Sequence, residues 1–300
     1  MTQHDHDLGL RHDLPRILRT GRRGLLGVVG GVGALAVAGC ATDDKPTASK
    51  PTSTPTSTPT STPPTSPPAS PPSGPAGTAT ATATAHPIDP KAGEIPEETQ
   101  GPFPGNGTNG PDVLTEAGVV RRDIRGSFGR ASGVAGGVPV TLRMRIFDLA
   151  GTDVTPLAGA AVYVWQCDRE GRYSLYNDGA RDENYLRGVQ EADADGNLEF
   201  VTVFPGCYPQ RWPHIHFEVY ESLAHATRGA APKLRTSQLA FPAGVSADVY
   251  ASAGYGASVP NFEAITLDSD SIFRDGYSLQ MVTMTGSVAD GYVATLNVPV

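Results

Sequence analysis

Pro205-Gly206-Cys207-Tyr208-Pro209-Gln210-Arg211-Trp212-Pro213-His214-Ile215-His216-Phe217 is the stretch that decides how this chain folds. From His214 to Tyr220 it alternates: His214, His216, Glu218 and Tyr220 share one parity, and Ile215, Phe217 and Val219 the other. Successive side chains of a strand point to opposite faces, so the pattern predicts a β-strand with one polar and one apolar face. His214 and His216 then project from the same face, one strand repeat apart, within reach of a single metal ion. Pro205-Gly206 and Pro209 break the chain just upstream, setting Tyr208 in a turn that can fold back over that face. Arg211 adds a fixed positive charge three residues before His214. A His-x-His pair also suits a plain solvated strand. The composition favours the metal: of seven histidines, three lie in the first twelve residues, and two of the other four form this pair.

Outward from this stretch the chain reads as all-β. Val138, Val140, Leu142, Met144 and Ile146 alternate with Pro139, Thr141, Arg143 and Arg145, a half-buried strand. Further strands are expected at 160–167, 198–204, 235–241, 262–267, 277–285 and 292–298. Residues 148–156 read as a turn-rich loop and 182–190 as a short helical or irregular insert. Asp193-Ala194-Asp195-Gly196-Asn197 reads as a hairpin turn rather than a calcium loop, since no later Glu completes an ion site. With 35 Gly and 27 Pro in 300 residues, many short strands joined by turns predict a β-sandwich of mainly antiparallel strands over residues 87–300.

The first 86 residues are expected to contribute no core. Arg22-Arg23 precede a short apolar run ending at Ala38-Gly39-Cys40, the parts of a secretory signal over residues 1–40. The paired arginines resemble a twin-arginine export signal, and Val37-Ala38-Gly39-Cys40 resembles a bacterial lipobox, with Cys40 as the lipidated mature N-terminus. An ordinary signal anchor is the plain alternative. Residues 41–86 form a Thr/Pro/Ser-rich disordered linker without large apolar side chains. Extended at about 3.1 Å per residue it reaches roughly 100 Å, a spacer through a cell wall or simply a tail. The expectation is an exported, extracytoplasmic lipoprotein whose membrane attachment is the lipid on Cys40 alone. Net charge is −8, and beyond residue 39 there are 18 basic and 28 acidic side chains, which argues against nucleic-acid partners.

Gly171-Arg172-Tyr173-Ser174 follows Trp165-Gln166-Cys167-Asp168, and together with Pro205-Gly206-Cys207-Tyr208 and His214-Ile215-His216 it resembles the intradiol ring-cleavage dioxygenases, the protocatechuate and catechol dioxygenase family. Gly101-Pro102-Phe103, Gly188-Val189 and Thr236-Ser237-Gln238-Leu239 extend the resemblance over roughly residues 97–242. It implies a non-haem Fe(III) cofactor held by Tyr173, Tyr208, His214 and His216. It implies that Tyr208 is displaced by substrate and acts as a base, that Arg211 stabilises charge built up on the substrate, and that Gln238 supports the site from behind. It implies a catechol-type substrate and O2, with the ring opened between the two hydroxyl-bearing carbons to a muconate-type diacid. Phenolate and imidazole suit a ferric ion, whereas zinc is more usually held by His, Cys or carboxylates.

The sequence departs from the family in places. The Tyr208–His214 segment is shorter than in the intracellular enzymes and resembles an exported bacterial form, which puts substrate choice in doubt. Gly101-Pro102-Phe103-Pro104 stands where many members have Gly-Pro-Tyr-Tyr. A long N-terminal helical pairing segment is missing, so the family's assembly does not carry over and the oligomer is left open. Cys167 and Cys207 each lie just before a ligand tyrosine, and a disulfide between them or two buried thiols both fit. Two other functions compete: a non-catalytic transthyretin-like binding module on the cell surface, and a zinc hydrolase, which lacks a carboxylate ligand at matching spacing.

Overall fold

A computed structural model of the protein describes residues 87–229 and 231–300. The expected export signal and linker fall outside these residues. Among the described residues nine strands form two sheets. In the first, β1 (Pro139–Ala150) lies between β9 (Gly291–Pro299) on one side and β5 (Asn197–Val203) and β2 (Asp153–Pro156) on the other, with β8 (Thr283–Ser287) beyond β9. The second runs β4 (Arg187–Glu191), β3 (Ala161–Trp165), β6 (His214–Tyr220), β7 (Arg235–Ala240). Every pairing is antiparallel except β1 with β9.

The β1 alternation is met: Val140, Leu142, Met144 and Ile146 are buried in the core between the sheets, and Arg143 is exposed. They meet Val162 and Val164 of β3 and Ile215, Phe217 and Val219 of β6 there. Each such side chain taken out of water contributes on the order of 1.5–3 kcal/mol. The second sheet is also covered on its outer face. Tyr163 and Trp165 of β3 and Tyr220 of β6 pack there with Val113, Leu114, Val119 and Tyr173, which come from loops. All seven residues of β6 are therefore buried. A loop segment seals the sandwich edge: Arg121 N–H donates to Val189 O of β4, and Ile124 N–H donates to Val201 O of β5.

Four local expectations are corrected. Residues 148–156 are the end of β1 and all of β2, a hairpin paired from Phe147 with Pro156 to Ala150 with Asp153. Arg187–Glu191, which begins inside the expected irregular insert at 182–190, is strand β4; Gly188 and buried Val189 interrupt the polar run and pair with β3. Residues 262–267 are no strand, because Pro260 starts a short helix, Val259–Glu263, and a 3-10 turn, Leu267–Ser269, follows. The turn at 193–197 joins β4 to β5, which belong to different sheets, so it is a crossing between sheets and not a hairpin.

Candidate metal centre

The outer face of the second sheet carries the site. His216 on β6 is paired with Trp165 of β3 on one side and Gln238 of β7 on the other. Directly opposed residues share a face, so all three stand together. The Trp165 indole stacks on the His216 ring at 4.9 Å and 7° and fixes its plane. His214, two residues earlier, shares the face, and both imidazoles are 2% exposed.

Two turns deliver the phenols. Asp168 builds the first: its Oδ1 accepts from the backbone N–H of Glu170 and Arg172, and its Oδ2 from Tyr185 Oη. Tyr173 follows, its N–H held by Asn177 Oδ1 at 2.7 Å. Arg187, fully buried, donates to the carbonyls of Ser174, Phe103 and Pro104 and to the hydroxyls of Ser174 and Tyr163. It thereby ties the Tyr173 turn to the segment 99–106. The second turn, 205–209, lies against the first at Gly206. A Cβ there would stand 2.8 Å from the carbonyl oxygens of Asp168 and Arg169 and from Gly171 N, so only glycine permits the approach. That contact sets Tyr208 beside Tyr173.

Four donor atoms converge. Tyr208 Oη is 3.1 Å from His214 Nε2, His216 Nε2 is 3.1 Å from it, and Tyr173 Oη is 3.4 Å from both His214 Nε2 and Tyr208 Oη. His214 Nδ1 lies 2.5 Å from Trp212 O. A carbonyl only accepts, so Nδ1 carries the proton and Nε2 offers its one lone pair to the cluster. One lone pair cannot satisfy three neighbours by hydrogen bonding. A cation within the group satisfies all four donors, and for bonds of about 2.0–2.1 Å in a tetrahedral set the donor–donor distances are about 3.3–3.4 Å. The donor set thus fits a metal ion. Among the described residues no three His, Cys, Asp or Glu side chains gather as a metal site; the convergence here requires the two phenols.

Electrostatics of the protein alone favour neutral side chains at the cluster. Burial, with Arg211 nearby, lowers His214 to about 3, and burial with His214 and Arg211 holds His216 well below its ordinary value. Burial and Tyr208 push the Tyr173 phenol well up; burial raises Tyr208 to about 12 in spite of Arg211. Phenolates form in such a place only beside an added positive charge. Tyr173 is 1% exposed, whereas Tyr208 and Arg211 are half-buried, so the approach to the cluster lies on their side.

Arg211 is held from two directions. Its Nε donates to Asp270 Oδ2 at 3.0 Å and its Nη2 to Gln238 Oε1 at 2.5 Å, while Gln238 Nε2 donates to Thr99 O. Asp270, Asp168 and Arg187 were not expected from sequence. Asp270 sits in a polar Asp-Ser-Asp-Ser run 59 residues from Arg211, and Arg187 reads as a surface charge. Cys167 and Cys207 are buried free thiols, not a disulfide. Their sulfurs face different carbonyls, Gly206 O at 3.4 Å and Arg211 O at 3.3 Å.

Known proteins share this part of the chain. Residues 109–237 match the family model described as Dioxygenase. The match takes in both phenols, both imidazoles and Arg211 but stops before Gln238 and Asp270. Catechol 1,2-dioxygenase 1 of Acinetobacter lwoffii is 41% identical over 90 residues, covering 24% of this chain and 29% of the relative. The protocatechuate 3,4-dioxygenase beta chain of Burkholderia cepacia is 33% identical over 95 residues, 28% of this chain and 39% of the relative. The chain thus spans well under half the length of the curated relatives it matches. An intradiol ring-cleavage dioxygenase from Tetranychus urticae overlays with a TM-score of 0.49 at 23% identity, over 61% of this chain and 87% of that one.

Proposed function

We propose that this protein is an intradiol ring-cleavage dioxygenase that opens catechol-type aromatic diols with O2, using a non-haem ferric ion held by Tyr173, Tyr208, His214 and His216. The convergence of two phenol oxygens and two imidazole nitrogens at 3.1–3.4 Å carries the reading. The similarity of residues 109–237 to dioxygenases supports it. A binding module has no use for four buried donors gathered on one point.

When bound, ferric iron would draw electron density from a chelated diol and make a ring carbon open to O2. The protein residues prepare that chemistry. Trp212 O holds the His214 Nδ1 proton and keeps Nε2 basic. Trp165 holds the His216 plane. Tyr173, buried and hydrogen-bonded through its backbone, is the fixed phenol. Tyr208, the half-buried one, is the phenol that yields its place and takes a substrate hydroxyl proton on Oη. Arg211, preplaced by Asp270 and Gln238, meets negative charge developing on the substrate.

The test is oxygen uptake by iron-loaded protein against a panel of catechols, with product identification. A muconate-type diacid formed with one O2 per ring is expected; no ring opening with any catechol, or a colourless iron-replete protein, sinks the reading. Tyrosinate-to-iron charge transfer should colour the protein burgundy. Metal analysis that finds zinc in place of iron also counts against it.

We further propose that the chain is exported and anchored by a lipid on Cys40, supported by residues 22–40 of the sequence alone. Among the described residues no helix is long and apolar enough to cross a membrane. Cys40→Ala protein still held at the membrane by its N-terminus would contradict the anchor.

A further inference from the structure

Arg211 lies at the approach to the cluster, and a cation helps a reaction only if it is already where charge will appear. An arginine on a turn has several rotatable bonds and does not hold itself still. Asp270, fully buried, accepts at Oδ2 from Arg211 Nε (3.0 Å) and from the backbone N–H of Trp212 (2.6 Å). Its Oδ1 accepts from the backbone N–H of Ile272 (2.8 Å) and Phe273 (3.4 Å). The carboxylate is thus pinned by its own turn, and it holds both the side chain and the next backbone unit of the Arg211 turn. Gln238 Oε1 accepts from Nη2. Among the described residues no group accepts from Nη1. Burial raises the cost of the Asp270 charge, but Arg211 and the Trp212 and Ile272 N–H groups outweigh it and hold the carboxyl below its ordinary range.

We propose that Asp270 is the positioning residue for Arg211: it locks the guanidinium by the Nε edge, so that Nη1 alone is offered to negative charge on the substrate. This rests on the ring-cleavage reading above. It assigns a role to the segment 266–276, which lies outside the matched dioxygenase residues.

The test has two arms. In metal-free protein with labelled arginine, the Arg211 Nε–H signal is protected from solvent exchange, and Asp270→Asn speeds its exchange at least about tenfold by losing the charge-assisted bond. In iron-loaded protein, Asp270→Asn lowers kcat about a hundredfold with KM within about threefold, while iron content and the visible band stay those of the parent. Should Asp270→Asn not fold, Asp270→Glu keeps the charge and displaces the guanidinium by one methylene, for about a tenfold loss in kcat at unchanged KM. Unchanged Nε–H exchange, or a kcat within threefold of the parent for the folded variant, overturns the proposal. A parent protein that opens no catechol ring overturns the ring-cleavage reading and this role with it, whereas an active parent with an indifferent Asp270 overturns this role alone.

Discussion

The two faces of β6 are equally buried and do opposite work. Ile215, Phe217 and Val219 are 0% exposed in the core between the sheets, where burial itself is the gain. His214, His216, Glu218 and Tyr220 are also buried, yet each polar atom taken from water is a loss until it finds a partner. Most of their partners come from outside the sheet. Glu218 accepts from Asn106 Nδ2, Lys233 Nζ and Tyr220 Oη. His214 is held by Trp212 O, and its Nε2 faces both phenols and His216 Nε2. One face makes the strand stay; the other is what the remaining loops are arranged to satisfy. His216 Nδ1 and, beside it, Trp165 Nε1 are buried there without a hydrogen-bond partner.

Substitution on either face separates the two roles most sharply. Phe217→Ala should cost about 3–5 kcal/mol of unfolding free energy by leaving a cavity between the sheets. Iron uptake by the surviving folded fraction should be unchanged. His214→Ala should do the reverse, with iron content falling to near zero and the stability of the metal-free protein changing far less. Urea unfolding and iron analysis of both variants decide the matter; His214→Ala protein that keeps its iron refutes the ligand assignment.

The polar side should also show in the pH dependence. Glu98 is buried, and burial followed by Asp275 raises its pKa to about 8. It accepts from Gln280 Nε2, which also donates to Gln238 O, so it adjoins the β7 neighbour of His216. Its folded pKa lies above the unfolded value of 4.5, so the folded state holds the extra proton between the two. Stability from this group is full below about pH 4.5 and is lost as pH rises towards 8, in all roughly 5 kcal/mol. Glu98→Gln should flatten that slope; parent and variant curves that run parallel from pH 5 to 8 refute it. A smaller effect is expected at Lys233. Lys233→Met leaves Glu218 with one fewer charge partner and should cost about 2–3 kcal/mol, less than the loss of a fully enclosed partner because the lysine is 24% exposed. Thermal unfolding of the metal-free variant measures it.

The alternation from His214 to Tyr220 was legible because a strand has period two, and a polar face beside an apolar one leaves a plain trace. Tyr173 and Tyr208 were legible only by resemblance, since a tyrosine after a turn has no local signature of a ligand. β4 was hidden because burial on both faces is created by loops folding over it, which Arg187-Gly188-Val189-Gln190-Glu191 does not announce. Asp270 was hidden for a related reason. Its partner is 59 residues away, and a buried carboxylate in a Ser/Asp run looks like solvent-exposed turn sequence until the ion pair is seen.

The finest test of the contrast is one methyl group at Gly101. Gly101 has φ +70°, a conformation costing roughly 1 kcal/mol or more for any residue with a Cβ. A Cβ there would also stand 3.2 Å from His216 Cε1, tight enough that ring or loop must give way by a few tenths of an ångström. The ring cannot tilt freely, because Trp165 is stacked on it at 7°. The loop is tethered nearby by Gln238 Nε2 on Thr99 O and by Arg187 on Phe103 O and Pro104 O. Gly101→Ala should therefore cost about 1–2 kcal/mol and shift the visible iron band slightly while leaving iron content intact. A methyl group on the apolar side of β6 has no route to the band, so a band that moves with Gly101→Ala and not with Phe217→Ala places the coupling on the polar face. A band unmoved by Gly101→Ala means that the segment covering His216 does not set the geometry of that ligand.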